Sequence, residues 1–116
     1  MTVSDTILSG ALSGAKAGGI VTVERNDHEV RIHVRGEFTF KLRQAFRDAY
    51  FRESPTAHYV VDMSGVNFMD SSAMGMLLVL REHAGGEQAR VTLTNLSRKL
   101  MALMKVASLH EMFKIV

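Results

Sequence analysis

The stretch "VVDMSGVNFMDSSAMGMLL" runs from Val60 to Leu78. It begins apolar, passes through a polar knot at Asp70, Ser71 and Ser72, and becomes apolar again. The first part, within "AHYVVDM" (residues 57–63), is a short continuous apolar run. Such a run reads as an inner strand covered on both sides, with Asp62 ending it as a turn residue. After the knot, Met74, Met76, Leu77, Leu78, Val79 and Leu80 nearly encircle a helix expected from Ser72 to Ala84. A helix apolar on almost every side has more greasy surface than one core contact needs, so part of it is expected to face a partner. The knot therefore sits where a strand hands over to a helix.

Working upstream, "EVRIHVRG" alternates: Val30, Ile32 and Val34 point one way, Arg31, His33 and Arg35 the other. Together with the β-branched "IVTVER" and the turn signal "NDH", it reads as a hairpin. His33 falls on the polar face, which suggests a surface histidine rather than a ligand. In "GEFTFKLRQAFRDAYFRES", Leu42, Phe46, Ala49 and Tyr50 recur at helical spacing, with Thr39 as N-cap and Pro55 beyond the end. Downstream, "ARVTLTN" reads as a strand, "LSRKLMALMKVASL" as an amphipathic helix and "HEMFKIV" as a final strand. The order ββαβαβαβ implies an α/β domain, a mixed sheet with helices packed on it. Residues 1–18, rich in glycine and small side chains, read as a flexible leader that contributes at most a short helix or extra strand. The domain proper is expected over residues 19–116.

Composition narrows the function. At 116 residues and 47% hydrophobic content, the chain suits one domain with its own core. It has no cysteine, hence no disulfide, thiolate metal site or thiol nucleophile. The net charge of +2 comes from scattered basic residues. Arg43 and Arg47 share a helix face, but Asp48 and Glu53 dilute them, so no nucleic-acid footprint forms. No apolar run reaches membrane-spanning length and no signal-peptide pattern opens the chain, so a cytoplasmic protein is expected.

The knot itself has three readings. A helix start offers free N–H groups and the positive end of the helix dipole, so a hydroxyl or carboxylate there caps the helix. The same groups tolerate an added phosphate, with its charge of about −1.5 to −2. The third reading, a serine nucleophile, lacks a "GxSxG" elbow, and His28, His33, His58, His83 and His110 are dispersed. No metal-ligand spacing and no phosphate-cradling loop occur. From these residues alone, capping is the plainest reading.

The wider text resembles a known family. "HYVVDMSGVNFMDSSAMGMLLVLREH" is similar to the central signature of STAS domains, in particular the bacterial anti-sigma factor antagonists. The counterparts are Asp62-Met63-Ser64, Val66, Phe68, Asp70-Ser71-Ser72 and Ala73-Met74-Gly75. "VRGEF" (residues 34–38) resembles the family's Gly-Glu-Leu-Asp turn, and the C-terminal third resembles its last strand, helix and strand. The resemblance covers about Ile20 to Val116. It implies a STAS-like mixed sheet with helices mainly on one side, and a non-enzymatic regulator that works by partner switching. The implied partners are a serine kinase or anti-sigma factor of the GHKL type and a phosphatase of the PP2C type. No cofactor is implied. The implied phosphoacceptor is Ser72. Its surroundings, expected to meet the partner, are Asp70, Ser71, Ala73, Met74, Gly75, Met76, Ser64 and Phe68. Ala73 replaces the usual glycine, Met74 the usual leucine, and Thr39 stands where aspartate is common. The alternatives are a constitutive STAS scaffold, or a subunit of a transporter or signalling assembly, without phosphorylation. A serine hydrolase comes last.

Overall fold

The computed structural model describes Asp5–Ile7 and residues 18–116. Its sheet has six strands in sequential order: β1 (Asp5–Ile7), β2 (Gly19–Arg25), β3 (Glu29–Phe38), β4 (His58–Met69), β5 (Val91–Thr94) and β6 (Lys114–Ile115). The first three strands are antiparallel, and β3 to β6 run parallel. Parallel neighbours need crossovers, supplied by α1 (Arg43–Asp48), α2 (Ser71–His83) and α3 (Arg98–Val106). Successive crossovers that step the same way with the same hand put their helices on one face. The architecture is the ββαβαβαβ mixed sheet read from the sequence, with β1 added at one edge. The rest of the expected 1–18 leader, apart from Gly18, lies outside the described residues.

The core lies between the sheet and the helices. Val21, Val23, Val30, Ile32, Val34, Tyr59, Val61 and Leu93 point from the strands onto Phe46, Leu77, Leu80, Leu100 and Met104 of the helices. Phe38, Phe46, Tyr50 and Tyr59 form a chain of aromatic contacts through it, with centroids 5.2, 5.8 and 6.5 Å apart. β4 is covered by helices on one face only; Val60 is buried on the other face, outside that main cluster.

Besides this one-sided cover of β4, where cover on both sides is expected from its apolar run, three elements differ from the sequence reading. First, β4 does not stop at Met63. It continues to Met69, so Asp62 is mid-strand and "SGVNFM" is not a loop. The register explains why alternation fails there. His33 pairs Asp62 and Arg35 pairs Gly65, then Gly36 pairs Val66 and Glu37 pairs Phe68, so β4 carries an extra residue at each step. These bulges turn the buried series into Val61, Met63, Val66 and Met69. Gly36 makes the bend possible: its φ is +78°, and a Cβ there would lie 2.4 Å from the Gly18 carbonyl oxygen. Second, the helix expected after Thr39 is short. Thr39 caps a 3-10 turn, Phe40–Leu42, before α1, its hydroxyl accepting from Lys41 N–H at 3.3 Å. Third, α2 starts at Ser71, one residue before the expected start.

Candidate functional site

The strand-to-helix handover is built by Asp70. Its backbone is extended, and its Oδ1 accepts the Ala73 N–H at 2.9 Å. Asp70, not a serine, is therefore the N-cap of α2. Its Oδ2 accepts the Phe40 N–H at 3.4 Å and its own N–H donates to the Phe38 carbonyl at 3.3 Å. One residue thus fixes the start of α2 and the turn that leads into α1. Ser71 and Ser72 are left at the first two helical positions with no hydrogen bond from either hydroxyl among the described residues. Ser71 is exposed and Ser72 half-buried. The capping role that the sequence offers to the whole knot thus falls to Asp70 alone, and both serine hydroxyls are left out of it.

The other expected site residues divide. Ala73 is fully buried against the core. Met74 and Met76 are half-buried, and Gly75 is exposed. Ser64 is exposed on β4, its N–H donating to Asp62 Oδ1 at 2.9 Å. Phe68 is exposed at 47%. An open groove of about 500 Å³ between α1 and α2 brings Ser72, Gly75, Met76 and Val79 opposite Phe40, Arg43, Phe46, Arg47 and Tyr50. Ser64, Phe68, Asp70 and Ser71 do not line it.

Sequence reading missed the α1 wall of this groove. In sequence Arg43 is one charge among those diluted by Asp48 and Glu53; in space its guanidinium lies 4.0 Å from the Phe40 ring centroid, and its Nη1 donates to the Phe40 carbonyl at 3.4 Å. Arg47 sits 4.7 Å from the Phe51 centroid. Stacking of this kind holds an arginine flat over apolar surface with its charge still available. The available signal was an apolar Phe40 directly after a cap, followed by arginines three and seven residues on.

The far end of α2 is anchored too. His83 Nε2 lies 3.0 Å from the Glu53 carbonyl and 3.2 Å from the Tyr59 hydroxyl. A carbonyl only accepts, so that nitrogen carries the proton. The Tyr59 hydroxyl donates to the Ser54 carbonyl at 2.7 Å. Burial, with Glu53 and Tyr50 nearby, pushes the Tyr59 phenol up to about 12.

On the sheet face away from the helices, His33 is half-buried between two carboxylates: Glu24 at 2.5 Å from Nε2 and Asp62 at 3.2 Å from Nδ1. Burial pushes the Asp62 carboxyl up. Hydrogen bonds from the Ser64 backbone, Asn95 and the Ser64 side chain, with His33 beside it, outweigh that and leave it below its ordinary value. Asp62 and Asp70 have separate partners. Among the described residues no group of three or more His, Asp or Glu side chains is arranged to hold a metal ion. No described helix is long and apolar enough to cross a membrane.

Comparison with known proteins bears on the family and the fold. The family model described as "Mlab, STAS domain" matches residues 21–116. A STAS-domain containing protein of Pseudomonas aeruginosa (strain UCBPP-PA14) is 44% identical over 88 residues, covering 75% of this chain and 87% of that protein. Among solved structures, the anti-sigma factor antagonist SpoIIAA in its unphosphorylated form superposes with a TM-score of 0.70 at 18% identity, over 83% of this chain and 87% of that one. An anti-sigma factor antagonist from Mycobacterium paratuberculosis gives 0.70 at 22% identity, over 84% of each chain. At these identities the two structures speak for the fold.

Proposed function

Because the chain belongs to the STAS domain family, we propose that it is a regulator of the anti-sigma factor antagonist kind, working in the cytoplasm by partner switching. The observation that carries this reading is the free Ser72 hydroxyl, released from capping by Asp70 and opening onto an apolar groove. The unphosphorylated protein docks through α2 on a serine kinase or anti-sigma factor of the GHKL type. That kinase transfers the γ-phosphoryl group of ATP to Ser72 Oγ, and ADP and the hydroxyl proton leave. A phosphate there gains the unpaired N–H groups of the first helical turn and the helix dipole, so the fold accepts it. A docked apolar surface does not, because it would have to desolvate about two negative charges. A phosphatase of the PP2C type returns the serine by hydrolysing the phosphate ester. The chain itself performs no chemistry in this cycle.

The test is phosphosite mapping after incubation with the cognate kinase and ATP. Phosphate on Ser72, lost in Ser72→Ala, is the expected result. Modification elsewhere, with Ser72→Ala still switching, overturns the reading. The open groove equally suits a permanent neighbour, so the second reading is a constitutive subunit of a larger assembly. It requires a stable complex that persists with no phosphate on Ser72 in cells.

A further inference from the structure

The groove between α1 and α2 carries information about what fills it. Along α2 it runs from Ser72 to Val79, about 10 Å or two helical turns. Its exposed apolar residues are substantial: Phe40 is 52% and Val79 57% accessible. Midway lies Gly75. A Cβ added there meets nothing within 4 Å, so the fold has no steric use for a glycine that weakens the helix relative to alanine. A bare backbone in the lining of an open groove lets another chain approach closely.

The charge is one-sided. Arg43 and Arg47 line the groove, and no aspartate or glutamate does. Two carboxylates stand beside the lining, both engaged: Asp48 accepts from the Gln44 side chain at 2.9 Å, and Asp70 accepts the Ala73 N–H at 2.9 Å and the Phe40 N–H at 3.4 Å. Arg43 lies over Phe40, itself a groove residue, and Arg47 over Phe51, just outside the lining. A channel between two helices, apolar in its walls and two turns long, matches a helix read through residues at i, i+3 or i+4, and i+7. Its positive rim selects carboxylates on the flanks of that helix.

We propose that this groove seats an acidic amphipathic helix presented by a partner protein, its apolar residues packed on Phe40, Met76 and Val79 and its carboxylates paired with Arg43 and Arg47. The inference rests on the docking role proposed for α2, but not on phosphorylation of Ser72. It adds a reason for the switch to work: a phosphate on Ser72 stands at one end of the channel and repels an acidic occupant, where it would retain a basic one.

The probe is a synthetic helix-stapled peptide of about four turns. It carries leucines at the i, i+4 and i+7 positions and glutamates on both flanks. A counterpart replaces each glutamate with lysine. Each is titrated into the full chain, with amide shifts followed by NMR and affinity by calorimetry. The acidic peptide is expected to shift Phe40, Gly75 and Val79 and to bind about tenfold more tightly than the basic one. Arg43→Glu/Arg47→Glu, at two exposed positions, is expected to invert that preference. Gly75→Leu, whose side chain enters open space, is expected to weaken binding about tenfold with the fold's spectrum retained. Failure of the acidic peptide to bind at millimolar concentration overturns the proposal. So do equal binding of the two peptides, shifts centred outside the groove, and a preference that survives charge reversal. Phosphosite mapping is a separate experiment. Ser72 phosphorylated with the groove unresponsive removes this proposal alone; the groove responsive with Ser72 unmodified removes only the switch.

Discussion

Replacing Asp70 with alanine tests whether the knot is divided between structure and function as the geometry has it. The substitution removes the acceptor for the Ala73 N–H at 2.9 Å and for the Phe40 N–H at 3.4 Å. Loss of an N-cap acceptor costs about 1 kcal/mol, within a range of about 0.5 to 2. The charge at the helix start contributes about 0.3 to 1 kcal/mol, partly contained in that figure. The contact to Phe40 is long and adds little. The expected total is about 1.5 kcal/mol, a fall in melting temperature of about 6 °C for a chain of this length. Asp70→Asn keeps an acceptor oxygen and loses only the charge, so about 0.5 kcal/mol is expected, shrinking as salt is raised. Ser72→Ala removes a hydroxyl with no partner among the described residues and places a better helix former in the first turn, so it should stay within about 0.5 kcal/mol of wild type. Urea titrations followed by circular dichroism measure all three. If Ser72→Ala costs as much as Asp70→Ala, or Asp70→Ala costs nothing, the serine is the cap and the reasoning fails.

Other consequences follow from single contacts. Gly75→Ala should raise stability by about 0.5 to 1 kcal/mol in the same titrations, because its Cβ enters open space and the helix gains propensity; a loss would mean that the fold needs the glycine. Tyr59→Phe should cost about 1 to 2 kcal/mol, since the Ser54 carbonyl at 2.7 Å loses its donor; a change under 0.5 kcal/mol would make that bond incidental. Asp62 sits below its ordinary value of 3.8, so its interactions add stability that is complete above pH 3.8 and lost as pH falls through the lower folded-state value. The difference in urea midpoint between wild type and Asp62→Asn should therefore narrow in that acidic range. A constant difference would mean that the carboxylate charge is not what the site uses.

Local pattern carried a good part of this fold. Val30, Ile32 and Val34 alternate because β3 is half-covered, and alternation is a property of neighbours in the chain. β4 beyond Met63 was illegible for the opposite reason. Its two extra residues exist only relative to β3, and no window of β4 alone reveals that Asp62 faces His33 or that Arg35 pairs Gly65. The site shows the same division. Asp70, Ser71 and Ser72 are visible as a helix start in any reading. The assignment of the cap to Asp70 needed the extended backbone at that residue. The arginine side of the groove needed α1 laid beside α2, a placement made by the crossover between β3 and β4 and not by the residues of α1. Arg43 and Arg47 look like solvated charges until Phe40 and Val79 are beside them.

The division of labour at the knot has an energetic consequence for any switch built on it. A modification signals cleanly only when it changes docking far more than it changes folding. Were Ser72 the cap, a phosphate on its oxygen would alter the contact that starts α2, and each cycle would spend part of a folding free energy that is only about 5 to 15 kcal/mol for a whole domain. With Asp70 holding both the Ala73 and the Phe40 N–H, that contact stands apart from the Ser72 hydroxyl. The added charge then acts outward, on whatever lies in the groove. The same reasoning separates Ala73 from Ser72, although they are adjacent. Ala73 is fully buried, and a side chain larger than methyl there would press on the core, whereas Ser72 borders open space. Neighbouring residues at one helix start thus have different surroundings: Asp70 and Ala73 hold α2 in place, while Ser72 and Gly75 border open space.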